Sequence, residues 1–128
     1  MEIPDPSFRR RLLIESLTVV AAEASVQVTW LDRHGVLADE IGLDFDDAFR
    51  MAGRLAEEGL LGREVLPDIR AIGAIFHEMS GQDDVRRWTK NALSTDEGRQ
   101  QARRLARKIL VAELGEWSLP MPEICVVR

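Results

Sequence analysis

The chain has 128 residues, of which 45% are hydrophobic and 30% are charged, and its net charge is −5. This length and composition exclude a disordered chain and fit one domain with a substantial core. No apolar run reaches the roughly 20 residues that cross a bilayer, and a single cysteine argues against an internal disulfide or a cysteine-based metal site.

The first predicted element is a long helix over residues 8–33. Its apolar side chains recur every three or four residues and form one stripe: Leu13, Leu17, Val20, Ala24, Val28 and Leu31. Gly35 is placed to end this helix in a Schellman motif, in which Val36 folds back on Leu31. The alternative is a short strand over residues 26–31, where apolar residues alternate.

The second predicted helix covers residues 44–58. Asp44 suits its N-cap, because its carboxylate can accept a backbone N–H of the first turn. Asp46 and Asp47 then lie in that turn, where the helix dipole stabilises negative charge. Gly59 is placed to end the helix. The first interpretation of this acidic cluster is therefore helix capping.

The third predicted helix spans residues 67–80 and begins at Pro67. Its buried stripe is expected to contain four apolar side chains: Ile69, Ile72, Phe76 and Met79. Gly73 lies in its interior, where glycine costs about 1 kcal/mol relative to alanine. This predicts a neighbouring element that approaches closely at Gly73.

Two more helices are predicted over residues 83–93 and 95–114. Ser94 and Glu97 form a capping-box pattern at the start of the second one. Its inward face is expected to contain Ala102, Leu105, Ala106, Ile109 and Leu110. A tail with two prolines follows Gly115 and is expected to be extended.

These elements predict an all-α fold, a single compact domain over residues 1–128. It is a bundle of about five helices with an extended C-terminal tail. The alternative is an α+β fold with short strands near 26–31 and 123–127.

Residues 36–61 resemble the helix-turn-helix family in rhythm, with the step "DEIGL" and the ending "LAEEGLL". The resemblance implies a nucleic-acid-binding regulator, and we keep this as the alternative function. The positions that would read DNA, however, are occupied by Phe45, Asp46, Asp47, Phe49 and Arg50, and the aspartates would repel phosphates. The sequence therefore argues against nucleic acid as a partner.

No catalytic or cofactor motif is present. The chain lacks a Gly-rich phosphate loop and a G-x-S-x-G elbow, and its two histidines, His34 and His77, form no zinc-binding pair. The acids near residue 44 lack the order of a calcium loop. We therefore expect no enzyme activity, no catalytic residue, no cofactor and no metal. An enzyme whose site assembles from distant residues is the second alternative.

The negative charge is concentrated in residues 32–58, which contain eight acidic and three basic side chains. Acidic surfaces accelerate association with basic partners. We therefore predict a small acidic protein that acts by protein–protein binding, of the immunity or antitoxin kind by analogy. Composition further predicts a bacterial, cytoplasmic protein with no membrane partner, and leaves a homo-oligomer open. The candidate partner-binding residues are Asp39, Glu40, Asp46, Asp47, Arg50, Arg54, Arg99, Arg103 and Arg107.

The last three of these residues form a row on the fifth predicted helix. Arg99, Arg103 and Arg107 are spaced by four residues and should share one face. One interpretation is a solvated face whose cations lie near acids of other helices. The other is a docking strip for an acidic protein or a phosphate backbone.

Overall fold

The computed structural model describes residues 6–36, 38, 40–81, 89 and 91–122. Within them the helices are α1 (Pro6–Ala21), α2 (Ala24–His34), α3 (Glu40–Phe49), α4 (Ala52–Glu57), a 3₁₀ turn (Arg63–Val65), α5 (Leu66–Gly81), α6 (Ala92–Thr95) and α7 (Glu97–Leu114). This described part is 78% helical and contains no strand, which confirms the all-α fold. The alternative strand over 26–31 is wrong, because these residues lie in α2. The alternative strand near 123–127 lies outside the described residues.

Helix α7 lies at the centre of the bundle. It packs along both α1 and α5, and α3 packs against the same two helices. One continuous apolar core results, because each of these helices turns an apolar stripe inward. Its largest fully buried side chains are Phe45, Leu13, Leu17, Leu31, Ile41, Leu55, Ile69, Ile72, Met79, Leu93, Ile109 and Leu110.

The prediction of one helix over residues 8–33 is wrong, because the chain turns by 119° between α1 and α2. Glu23 is extended and separates the two helices. The Gln27 side chain donates to the carbonyl oxygens of Val19 and Val20 at 2.8 and 3.2 Å. These bonds satisfy carbonyls that lose their helical partners at the end of α1. The predicted stop at Gly35 is confirmed, with a φ of 63°.

The prediction of one helix over residues 44–58 is also wrong, in two ways. The helix begins at Glu40, so Asp44 lies inside α3 and caps nothing. It is then interrupted at Arg50 and Met51, which form a turn before α4. The end of the segment is confirmed: Gly59 has a φ of 76°, and the Leu60 N–H donates to the Leu55 carbonyl at 2.9 Å.

The prediction for residues 67–80 is confirmed by α5. All four side chains of the predicted stripe are buried. The close approach at Gly73 is confirmed too, since a Cβ there would lie 3.2 Å from Cε2 of Phe49. The aromatic ring of Phe49 therefore occupies the space that this glycine leaves.

The last helix is confirmed with a corrected start. The N-cap of α7 is Asp96, whose side chain accepts from the Arg99 N–H at 3.1 Å. The predicted capping box is therefore wrong, and Ser94 belongs to the short helix α6. Most of the predicted helix 83–93 lies outside the described residues.

Among the described helices, none alone has the length and hydropathy of a membrane span. Only α1 and α2 taken together reach that level, as a sharply bent pair.

Candidate protein-binding surface

Helix α3 has an apolar inner side and an acidic outer side. Ile41, Phe45 and Ala48 are buried in the core. Gly42 is buried as well, and Phe49 packs against the core, so the other five positions form the outer side of the helix. We call the outer surface of α3 the acidic face, and it consists of Glu40, Leu43, Asp44, Asp46 and Asp47.

The acidic face has a leucine at its middle. Leu43 is 58% exposed, more than any other large hydrophobic side chain of the described residues. Residues three and four positions apart are neighbours on a helix surface. Glu40 and Asp47 therefore flank Leu43 along the helix axis, and Asp46 lies beside it. Asp39 precedes this surface in sequence and lies outside the described residues.

The position of the acids within α3 removes capping as their explanation. Only Glu40 lies in the first turn of the helix. Asp46 and Asp47 lie near its C-terminal end at Phe49, where the helix dipole disfavours negative charge by about 0.3–1 kcal/mol each. The dipole term is therefore unfavourable for both aspartates, and for Asp46 an ion pair with Arg50 offsets it.

The two arginines of this region are engaged within the chain. Arg50 Nη2 lies 2.9 Å from Asp46 Oδ2, and Arg54 Nε lies 3.1 Å from Glu58 Oε1. The two arginines and Asp46 are largely solvated and Glu58 is 31% exposed, so each pair contributes at most about 1 kcal/mol. In the described structure Glu40, Asp44 and Asp47 form no such ion pair, and a net negative charge remains on the acidic face.

The carboxyl groups of Asp44 and Glu40 interact directly. Loss of surrounding water raises the pKa of Asp44, and so do the charge of Glu40, a hydrogen bond between the two side chains and the charge of Asp47. Together these effects raise the pKa of Asp44 to about 6. The negative charge of the acidic face therefore grows between mildly acidic and neutral pH.

The arginines of α7 make their contacts within the fold, with the carbonyls of Ala38, Ala22 and Ala21, and do not join the acidic face. Arg103 donates from Nε to the Ala22 carbonyl at 2.8 Å and from Nη2 to the Leu93 carbonyl at 2.9 Å. Arg107 donates from Nε to the Ala21 carbonyl at 2.9 Å. Burial and the charge of Arg107 lower the pKa of Arg103.

These contacts engage the arginine row within the fold. Arg103 and Arg107 bind backbone carbonyls at the end of α1, so the described partners of this row are not mainly acids. Arg99 is only 4% exposed, with Nη2 3.4 Å from the Ala38 carbonyl and its guanidinium 6.0 Å from the centre of the Phe76 ring. Arg99 is therefore inaccessible to a docking partner.

Leu43 was missed by the sequence analysis. A helix that begins at Asp44 leaves Leu43 in a connecting loop, where an exposed leucine has no particular meaning. The stripe Ile41–Phe45–Ala48 was the available signal, because it extends the helix backwards and turns Leu43 outward.

We also searched the rest of the described structure for a cavity or a group of side chains that could support a reaction. A shallow depression of about 380 Å³ is lined by Arg10, Gly59, Leu60, Leu61, Gly62 and Glu113. Its polar groups contact one another: Arg10 Nε donates to the Leu60 carbonyl at 2.9 Å, and Glu113 accepts from the Gly62 N–H at 3.4 Å. Among the described residues, no three His, Cys, Asp or Glu side chains are grouped to hold a metal ion.

Comparison with known proteins adds no further assignment. The chain matches no protein-family model, and searches of curated proteins and of solved structures gave no significant match.

Proposed function

We propose that this protein acts by binding a basic protein partner through the acidic face. The observation that carries the proposal is the position of Asp46 and Asp47 near the C-terminal end of α3. Asp47, which has no ion pair in the described structure, has an unfavourable dipole term that nothing there offsets, and such local conflicts concentrate at functional sites. Partner binding supplies a reason for this charge.

The surrounding charges support a basic partner. Arg50 and Arg54 are held by Asp46 and Glu58, so neither neutralises the other carboxylates of this region. An acidic surface steers a basic partner during diffusion and repels nucleic acid. The helix that follows α3 has only six residues, which is short for the groove-reading helix of a helix-turn-helix regulator.

An immunity or antitoxin protein is one class of small acidic protein that would use such a face. We place its action in the bacterial cytoplasm on grounds of composition alone, and we propose no catalytic reaction.

The test compares capture of partners from a native extract by three forms of the protein. The first is the wild type, the second carries Asp46→Asn and Asp47→Asn, and the third carries Glu64→Gln and Glu116→Gln as a matched control. Both control residues are exposed and lie outside the acidic face. We expect the wild type and the control to capture the same basic protein at low salt. The double aspartate variant should capture much less of it.

Salt and stability complete the test. The difference between wild type and the aspartate variant should shrink as salt screens the charges. The melting temperature of the variant should change little, because the removal of unfavourable dipole terms and the loss of the exposed Asp46–Arg50 pair are small effects of opposite sign. Equal capture by all three forms would refute the proposal. Binding of duplex DNA at physiological salt, weakened by Arg50→Ala or Arg54→Ala, would favour the helix-turn-helix alternative instead.

A further inference from the structure

We infer that the partner presents a basic amphipathic α-helix to the acidic face and covers Leu43 with its apolar stripe. This inference rests on the proposed function and specifies the chemistry of the partner. It begins from the arrangement of one exposed apolar side chain within a charged surround. Stable contacts between proteins commonly have this anatomy, an apolar anchor at the centre and a polar rim.

The charges flank Leu43 in a pattern that a helix can match. Glu40 lies one turn before it and Asp47 one turn after it. Asp44 and Asp46 lie on opposite sides of the line that these residues form. A facing helix with lysines or arginines on both sides of an apolar stripe can therefore reach carboxylates on both sides of Leu43.

The shape of α3 favours a helical occupant over an extended one. Its backbone groups are bonded within the helix, so α3 offers no strand edge to which an extended peptide could add. One protruding leucine on a convex surface fits the hole between four side chains of a facing helix. The approach of nucleic acid is opposed by the same carboxylates that attract lysine and arginine.

The size of the surface sets the strength of the contact. Ten residues of helix are about 15 Å long, which matches two to three turns of a partner helix. Such an interface is smaller than the roughly 1,200–2,000 Å² of a stable complex. We therefore expect weak, salt-dependent binding. Contact with Leu43 should account for much of the difference in affinity between a helix with an apolar stripe and a basic peptide without one.

The test uses two synthetic peptides of equal composition, made of lysine, leucine and alanine. One has its leucines spaced by three and four residues, so that they form a helical stripe, and the other has a scrambled order. Binding to the full chain is measured by fluorescence anisotropy. We expect the striped peptide to bind about tenfold more tightly than the scrambled peptide, a difference of about 1.4 kcal/mol.

Leu43→Ala then tests the anchor. Alanine preserves the helix, and Leu43 is exposed, so this variant should fold normally. It should remove most of the tenfold preference and leave the affinity for the scrambled peptide unchanged. Val111→Ala is the matched control, because Val111 is 47% exposed on α7 and lies outside the acidic face. This control should retain the full preference.

The outcomes separate this inference from the proposed function. If both peptides bind equally and both lose affinity in the double aspartate variant, charge-driven docking stands and the helical partner is refuted. If neither peptide binds while capture of a basic protein still depends on the aspartates, only the inference fails. If both peptide binding and that capture are absent, both proposals fail. Self-association of the wild type that Leu43→Ala abolishes would identify a second copy as the occupant and overturn the inference.

Discussion

Arg103 of α7 donates from Nε to the carbonyl oxygen of Ala22, over 2.8 Å, at the point where α1 has ended. The same guanidinium donates to the Gln27 side chain at 3.0 Å and to the Leu93 carbonyl at 2.9 Å. The last carbonyls of a helix need partners from outside it. Arg103 supplies them and joins the ends of three helices.

Replacing Arg103 should therefore destabilise the fold. We expect Arg103→Met to lower the free energy of unfolding by about 2–3 kcal/mol, because it leaves buried acceptors without a charged donor. Chemical denaturation measures this change. Arg104→Met is the control, since Arg104 is exposed on the same helix, and it should change stability by less than about 0.5 kcal/mol. Equal effects of the two substitutions would contradict the role assigned to Arg103.

Replacement of Gly53 and of Gly73 by alanine should change the free energy of unfolding in opposite directions. Gly53 lies in α4 with no atom within 4 Å of an added Cβ, so Gly53→Ala should raise the free energy of unfolding by about 0.5–1 kcal/mol. At Gly73 the added Cβ would crowd the ring of Phe49 at 3.2 Å. Overpacking costs about 1–3 kcal/mol against a gain in helix propensity of about 1 kcal/mol, so we expect Gly73→Ala to lower the free energy of unfolding. The melting temperatures of the two variants, compared with that of the wild type, test both predictions. A higher melting temperature for Gly73→Ala would show that the contact with Phe49 is loose.

The stability of the protein should depend on pH through Asp44. Its pKa is raised from 3.8 to about 6 in the fold, so the folded protein holds this proton more tightly than the unfolded chain. The stabilisation is complete below about pH 3.8 and is lost as the pH rises through about 6. Asp44→Asn keeps a neutral group at all pH values.

The wild type should consequently lose stability relative to Asp44→Asn as the pH rises from about 4 to about 7, with little further change above that. Urea denaturation of both proteins at several pH values measures the difference. Asp47→Asn provides a comparison, because it changes a neighbouring charge without removing the titrating group. A constant difference between wild type and Asp44→Asn across this range would contradict the raised pKa.

The segment after α7 should depend on a stacking contact. The Arg107 guanidinium lies 3.7 Å from the centre of the Trp117 ring, and Trp30 Nε1 donates to the Pro122 carbonyl at 2.8 Å. We expect Trp117→Leu to cost about 0.5–2 kcal/mol and to speed amide hydrogen exchange over residues 116–121. Ser118→Ala, at an exposed position of the same segment, should leave the exchange unchanged. Faster exchange in both variants would mean that the stacking contact does not hold this segment.

The helical class and several helix ends follow from the sequence by itself. Gly35, Gly59 and Gly115 all have positive φ values and end α2, α4 and α7, as their places after apolar stripes predict. The buried face of α5 was predicted residue by residue. These features are local: a glycine in the left-handed region and a periodicity of 3.6 act within a few residues of themselves.

The tertiary structure decided what depends on distant partners. The end of α1 is not marked by a glycine or a proline, and the donors to the carbonyls of Ala21 and Ala22 are Arg107 and Arg103, more than 80 residues away in sequence. The start of α3 at Glu40 likewise follows from burying Ile41 in the core, and it moved Asp44 from an expected cap to the interior of a helix. Capping preferences depend only on the residues of the first turn, whereas the start of this helix depends on which side chains are buried in the core. With Ile41, Phe45 and Ala48 buried, Leu43 and the aspartates around it lie on the outer side of α3 and form the acidic face.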